Sequence, residues 1–311
     1  MKSDSLKTSG GLIAGLSGLA VITFALVALH FTSYSPYAPE VPGAYGPDRE
    51  PPLHERQEPG EYERERGQVA GPPVMHARFQ ELYERNNHIV GWIRVPNTTI
   101  NYPVVHCSDN FFYLHHNFDG RPSAAGTIFL DMDAGILENN QSMTLYGHYM
   151  GNDTKFSALH NYKYLEHYKR FPIFQFDTLY EDGFFKIFAV FYMAGNSSDA
   201  LFYYFPFSTF STDTAFMLHV NQIRIRSIFN TTVDVAPGDQ LVLLTTCTYE
   251  TYNLRLVVAG RRMRPGESFA FCTNYATLNP QPLFPQVWYD TKGGSPPQFD
   301  LYTITGGMLR N

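Results

Sequence analysis

The 311 residues carry a formal net charge of −6 and a sequence pI near 6.0, with no block of Lys or Arg, which argues against a nucleic-acid partner. Three cysteines, Cys107, Cys247 and Cys272, are too few for a disulfide scaffold of this length, so the fold must rest on its core. An aromatic content of 15% is ample for one, and the odd cysteine count suggests a thiol kept free; a Cys107–Cys272 pair stays open.

Residues 10–31 contain no Asp, Glu, Lys or Arg. At about 1.5 Å per residue such a run can cross a hydrocarbon core of roughly 30 Å. Lys2 and Lys7 precede it, and Glu40 and Asp48 are the first acidic residues after it. Basic residues stay on the cytoplasmic side, so residues 1–9 are expected in the cytoplasm, 10–31 in the plasma membrane as a single-pass anchor, and the remainder outside. The rival is a cleaved signal peptide, but no small-x-small site follows Leu29 and the run exceeds a usual signal-peptide apolar region. Residues 32–73 are rich in Pro, Gly and charge, with too few apolar groups to offset ordering entropy, and read as an extended spacer.

Globular sequence begins at Val74. Phe79, Leu82 and Tyr83 give helical spacing within His76 to His88. Strands are expected over Ile89 to Pro96, Thr99 to Val105, Gly126 to Asp131 and Ser142 to His148. Lys155 to Tyr168 reads as helical, and Gly183 to Ala194 as a long aromatic strand broken by Gly195-Asn196-Ser197-Ser198. Asp213 to Ile225 has apolar residues at Ala215, Phe216, Leu218, Val220 and Ile223, the pattern of a helix, capped by Ser211 or Thr212. Thr232 to Val235, a turn at Pro237-Gly238-Asp239, and strands over Leu241 to Cys247 and Asn253 to Val258 follow. Many short strands with few helices argue for a mostly β chain folded as a closed or partly closed barrel. Residues 265–311 change character, with recurring Pro and Gly and interspersed aromatics, and leave both a packed extension and a disordered tail open.

Chemistry concentrates in three residues. Cys247 ends an apolar β-branched run, after Thr245 and Thr246 and before Thr248. Taken alone it is more simply a buried structural cysteine, since free cysteine is among the most buried residue types. Arg255 follows it by eight residues inside Leu254-Arg255-Leu256-Val257-Val258, a length that suits two antiparallel strands. A charge in an apolar strand is costly unless paired, so Arg255 is either functional or turned outward. Arg261, Arg262 and Arg264 read as surface positions. His148 stands at a strand-to-loop junction in Tyr146-Gly147-His148, where it can project into a cleft. The other histidines read mostly as surface residues. The pair His115-His116 has no His-x-x-x-His or Cys-x-x-Cys beside it, so no metal or other cofactor is expected.

Tyr146-Gly147-His148, Leu244-Thr245-Thr246-Cys247 and Leu254-Arg255-Leu256-Val257-Val258 together resemble the three signatures of sortases, the membrane-anchored cysteine transpeptidases of Gram-positive bacteria. The similarity is to class B: Val90-Gly91-Trp92-Ile93, Tyr102-Pro103-Val104-Val105, Phe112-Tyr113-Leu114, Gly126-Thr127-Ile128-Phe129-Leu130-Asp131, Cys247-Thr248-Tyr249-Glu250 and the helix before the cysteine strand all resemble it. The resemblance implies a closed eight-stranded barrel with an N-terminal helix and an inserted helix. It implies a catalytic domain over 74–264 and a C-terminal extension, 265–311, longer than class B requires. It also implies Cys247 as nucleophile, His148 as general acid and base, and Arg255 as the group that holds substrate or oxyanion. Thr245, the backbone at Cys247 or Thr248, the neighbouring Thr246 and Glu250, and an aromatic wall at Tyr203, Tyr204 and Phe205 would line the substrate site.

The partners it implies are secreted proteins with an Asn-Pro-x-Thr-like C-terminal sorting signal and a peptidoglycan amine as acceptor. A pilin lysine is the alternative acceptor, and a non-catalytic surface module on the same barrel is a second alternative. Asn279-Pro280-Gln281 resembles the start of such a signal, but Pro282-Leu283 breaks the pattern, and it reads as coincidence.

Overall fold

The computed structural model describes residues 73–137, 140–195 and 208–299. Eight strands form its centre: β1 (Ile89–Arg94), β2 (Asn101–Val105), β3 (Ile128–Leu130), β4 (Ser142–Tyr146), β5 (Ile173–Thr178), β6 (Phe184–Ala194), β8 (Leu241–Thr248) and β9 (Leu254–Arg262). They close into a barrel in the order β1-β2-β3-β4-β8-β9-β6-β5, parallel at β2/β3 and β4/β8 and antiparallel elsewhere. Two short strands, β7 (Phe229–Asn230) and β10 (Thr277–Leu278), pair with each other. The helices are α1 (Gln80–Arg85), α2 (Leu165–Arg170), α3 (Asp213–Arg226) and α4 (Gln286–Lys292).

The run Leu241–Leu244 is continuously apolar because both of its faces are covered. Val242 and Leu244 join the barrel interior with Ile187, Val190, Leu256 and Val258. Leu241 and Leu243 point the other way, with Phe191, Val257 and Ala259, under α3. From α3, Phe216, Val220 and Ile223 lie on one helical stripe and pack onto that outer face. Each contributes about 1.5–3 kcal/mol by burial. Thr212, one of the two caps expected, accepts a hydrogen bond from the Ala215 amide at 3.1 Å and starts the helix.

Several expectations are revised. The helix sought over Lys155 to Tyr168 begins later, as a 3-10 segment Ser157–Lys163 followed by α2. Lys155 has φ +54°, in the left-handed region, which prevents a helix from starting there. Strand β5 was not anticipated; Phe174 and Phe176 point inward, but the alternation is short, interrupted by Gln175 and Asp177, and directly follows α2. It pairs with both β1 and β6 and so closes the barrel. Val233 and Val235 are buried, yet the ladder lies earlier, at Phe229–Asn230.

Arg261 is not a surface residue but the largest fully buried side chain. Its guanidinium is paired with Glu267 (Nη2 to Oε1, 2.8 Å) and Asp234 (3.3 Å), which makes the burial tolerable. Arg264 meets Asp239 and Asp234, each at 2.7 Å, and both Asp234 and Glu267 are held below the usual carboxylate range by these guanidinium partners.

The chain after Arg264 is packed at least through α4. Phe284, Val287 and Trp288 lie against the barrel core; Trp288 stacks on Phe284 (4.3 Å) and approaches Tyr192 of β6 (5.2 Å). Asn279 donates to the carbonyls of Ile228 and Ser227, so the Asn279-Pro280-Gln281 stretch is fixed beside β7.

The single-pass membrane localisation is corrected. Among the described residues no helix is long and apolar enough to cross a membrane. The longest, α3, has 14 residues and contains two arginines; at about 1.5 Å per residue it falls well short of a hydrocarbon core. Residues 10–31, on which that expectation rested, lie outside the described residues.

Candidate active site

Three neighbouring strands bring the candidate residues together. The parallel register of β4 and β8 sets Tyr146 beside Thr245, and the Gly147 amide donates to the Thr245 carbonyl at 3.1 Å. The next residue, His148, therefore arrives level with Cys247. Across the antiparallel β8/β9 ladder, Cys247 is the direct partner of Arg255, which in turn faces Met193 of β6. Paired residues in a sheet share a face. Cys247 alternates with Leu243 and Leu241, and Arg255 with Val257 and Ala259, so both stand on the outer face that α3 covers further along.

Gly147 is required where it stands. A side chain there would collide with Ile128 and come within 2.7 Å of the Phe156 ring. The chain thus runs tight against the barrel wall before releasing His148. Just before it, Tyr146 donates to buried Asp131 at 2.8 Å, and Asn110 donates to the same carboxylate at 3.1 Å, which fixes the end of β4.

The His148 Nε2 lies 2.8 Å from the Leu114 carbonyl. A carbonyl only accepts, so Nε2 carries hydrogen and the neutral ring keeps Nδ1 as its basic atom. Burial pushes this imidazole down from its ordinary pKa, the Leu114 bond opposes that, and the positive groups of His115, Lys155 and Arg255 push it further down. Lys155 is itself pulled down to about 8 by burial, with its ammonium 5.1 Å from the Tyr102 ring centre. The site therefore favours a neutral histidine.

The lining residues divide. Thr245 shares the Cys247 face, and its buried hydroxyl has no hydrogen-bond partner among the described residues. Thr246 turns to the opposite face, into the barrel. Thr248 is buried, and its hydroxyl accepts from the Glu250 amide at 3.5 Å. Glu250 is engaged by Lys163 at 2.7 Å, which lowers its carboxyl pKa. Tyr203, Tyr204 and Phe205 lie outside the described residues. His160, which the sequence did not single out, meets the Cys247 carbonyl with its Nε2 at 3.0 Å. Only the i, i+3 spacing from His160 to Lys163 hinted that they share a face.

All three cysteines are free thiols, so Cys107 and Cys272 are not paired. Cys107 lies 3.2 Å from the Asp109 carbonyl, and burial pushes its pKa up, the behaviour of an inert thiol. His116 stacks on Phe112 at 4.1 Å. No group of three or more His, Cys, Asp or Glu among the described residues could hold a metal ion.

A family model described as Sortase domain matches residues 93–263, a span that contains His148, Cys247 and Arg255. The chain belongs to the sortase family, class B. Sortase B of Staphylococcus aureus is 27% identical over 186 residues, 59% of this chain and 74% of that protein. Sortase B of Listeria monocytogenes is 28% identical over 185 residues, 59% and 73% of the respective lengths. Among solved structures, Bacillus anthracis sortase B in complex with AAEK1 superposes with a TM-score of 0.56 at 31% identity, covering 62% of this chain and 89% of that one. Clostridium perfringens sortase B gives 0.55 at 28%, covering 59% and 98%. As a class B sortase the protein is a cysteine transpeptidase.

Proposed function

We propose that this sortase cleaves an Asn-Pro-x-Thr-like sorting signal of secreted proteins at Cys247 and transfers the acyl group to a peptidoglycan amine. The observation that carries the reading is the direct pairing of Cys247 with Arg255 across β8 and β9, with His148 two residues past Tyr146, the β4 partner of Thr245. Sorting-signal substrates and peptidoglycan acceptors are what membership of the family implies.

The chemistry follows from these groups. The Cys247 proton passes to Nδ1 of His148, giving thiolate and imidazolium. Sγ attacks the scissile carbonyl carbon, and the carbonyl π electrons move to oxygen, where the Arg255 guanidinium holds the oxyanion with its several donors. Collapse expels the amine, which takes the proton from Nδ1, and leaves a thioester on Cys247. The acceptor amine then adds to that thioester and returns a proton to Nδ1. Collapse of the second intermediate releases the thiolate and the new amide. Because burial disfavours the charged ring, His148 rests as the neutral base. Thr245, on the same face with an unsatisfied hydroxyl, is suited to meet the substrate backbone.

The test is turnover of an internally quenched Asn-Pro-Gln-Thr peptide with triglycine as acceptor, followed by mass spectrometry of the product. The C247A variant should show no thioester and no transfer. R255K, which loses the planar fork, should lower kcat/KM by about 10–100-fold. Turnover by C247A at the wild-type rate would overturn the assignment.

A further inference from the structure

In β8, residues whose N–H and C=O point towards β4 recur with period two. The Thr245 carbonyl points that way and receives the Gly147 amide. The Cys247 carbonyl, two residues on, points the same way, but β4 has ended at Tyr146 and the chain has departed through His148. The vacant place in the ladder is filled by a side chain: Nε2 of His160 approaches the Cys247 carbonyl at 3.0 Å. The ring also lies 4.3 Å from that of Tyr149, immediately after His148. From the same 3-10 segment, Lys163 holds Glu250 at 2.7 Å in the loop between β8 and β9. One short segment thus grips the nucleophile's strand end and the loop beyond it while touching the residue that follows the histidine.

We infer that His160 is a positioning residue: it replaces the missing strand partner of Cys247 and thereby fixes the thiol relative to His148 and Arg255. This rests on Cys247 being the nucleophile. The carbonyl can only accept, so the Nε2 hydrogen is present in both the neutral and the charged ring, and the anchor persists when His160 titrates. Burial lowers the His160 pKa, and the charged groups facing it are Lys163 on its own segment and Glu250 opposite. Loss of the donor leaves strand β8 paired with β9 but frees its last peptide on the other side. Substrate contacts along the groove remain, so the loss falls on the chemical step.

Three variants of the 311-residue chain test this. H160F keeps a ring against Tyr149 without a donor, whereas H160Q puts an amide N–H where Nε2 stands. H160N carries the same amide one methylene too short. With the Asn-Pro-Gln-Thr peptide and triglycine, H160F and H160N should lower kcat by about tenfold or more with KM within about twofold, and H160Q should recover to within about threefold of wild type. Iodoacetamide labelling of Cys247, followed by mass spectrometry, should slow in the same order, because the thiolate fraction depends on the alignment with His148. Wild-type kcat and labelling in H160F, or an H160Q as impaired as H160N while melting like wild type, would overturn the inference. If H160F does not fold, the H160Q and H160N pair decides. If wild-type protein labels at Cys247 but transfers nothing, the function assigned above fails, while the labelling order still judges His160.

Discussion

At the scale of single residues, the environment of each titratable group decides its use. His148 and His219 are both pushed down by burial, but only His148 also feels the charge of Arg255. His219, on α3 with its ring 5.0 Å from Phe210, is lowered to about 4 from 6.5 by burial alone. A histidine whose folded pKa lies below its unfolded one binds fewer protons when folded. Its neutral form supports the fold above pH 6.5, and that support is lost as pH falls from 6.5 through about 4. The melting temperature should therefore drop on acidification across that window, and H219F should flatten part of the drop in differential scanning calorimetry. His148, His160 and His167 are shifted the same way and should keep the remainder. An H219F protein with an undiminished acid response would show that other groups control it.

At the scale of elements, strand ends do the positioning. The Gly147 site cannot take a methyl group without displacing Ile128 and Phe156. G147A should destabilise by about 1–3 kcal/mol from overpacking and, by pushing β4 off β8, reduce turnover far more than stability. Urea unfolding compared with peptide turnover separates the two effects. The extension as far as α4 packs on the barrel: W288A removes the contacts with Phe284 and Tyr192 and should destabilise by about 2 kcal/mol, less than a fully buried tryptophan because Trp288 is partly exposed. A midpoint in urea unchanged from wild type would mean the extension adds nothing to the fold. Sequence left this element open because its apolar residues show no long period; their burial depends on a surface built by strands far earlier in the chain.

At the scale of the whole molecule, a charge network closes the region beyond β9. Glu267 receives Lys186 at 2.7 Å, Arg261 at 2.8 Å and the Arg264 amide at 2.9 Å. Arg261 and Lys186 are both buried, so E267A leaves two cations short of their main counter-charge and should destabilise by about 3 kcal/mol. Guanidinium unfolding would measure it, and a loss under about 0.5 kcal/mol would show that Asp234, the other partner of Arg261, suffices.

The local sequence determined the strands with strong apolar runs, the α3 stripe with its Thr212 cap, and the order of His148, Cys247 and Arg255. Those are properties of short-range periodicity and residue chemistry; three spaced motifs mark a sortase, and the flanking segments mark class B. Tertiary structure alone decided that Arg261 is buried while Arg255 is only partly so. Arg255 and Arg261 occupy alternate positions of one strand on one face, and their different environments come from Asp234 and Glu267, which no spacing rule brings to Arg261. It alone also closed the barrel through β5 and set His160 against the Cys247 carbonyl. Both depend on contacts between segments distant along the chain. The physical reason is that periodicity reports which face of an element is apolar, whereas the partner of a polar group is chosen only when the chain has folded back on itself.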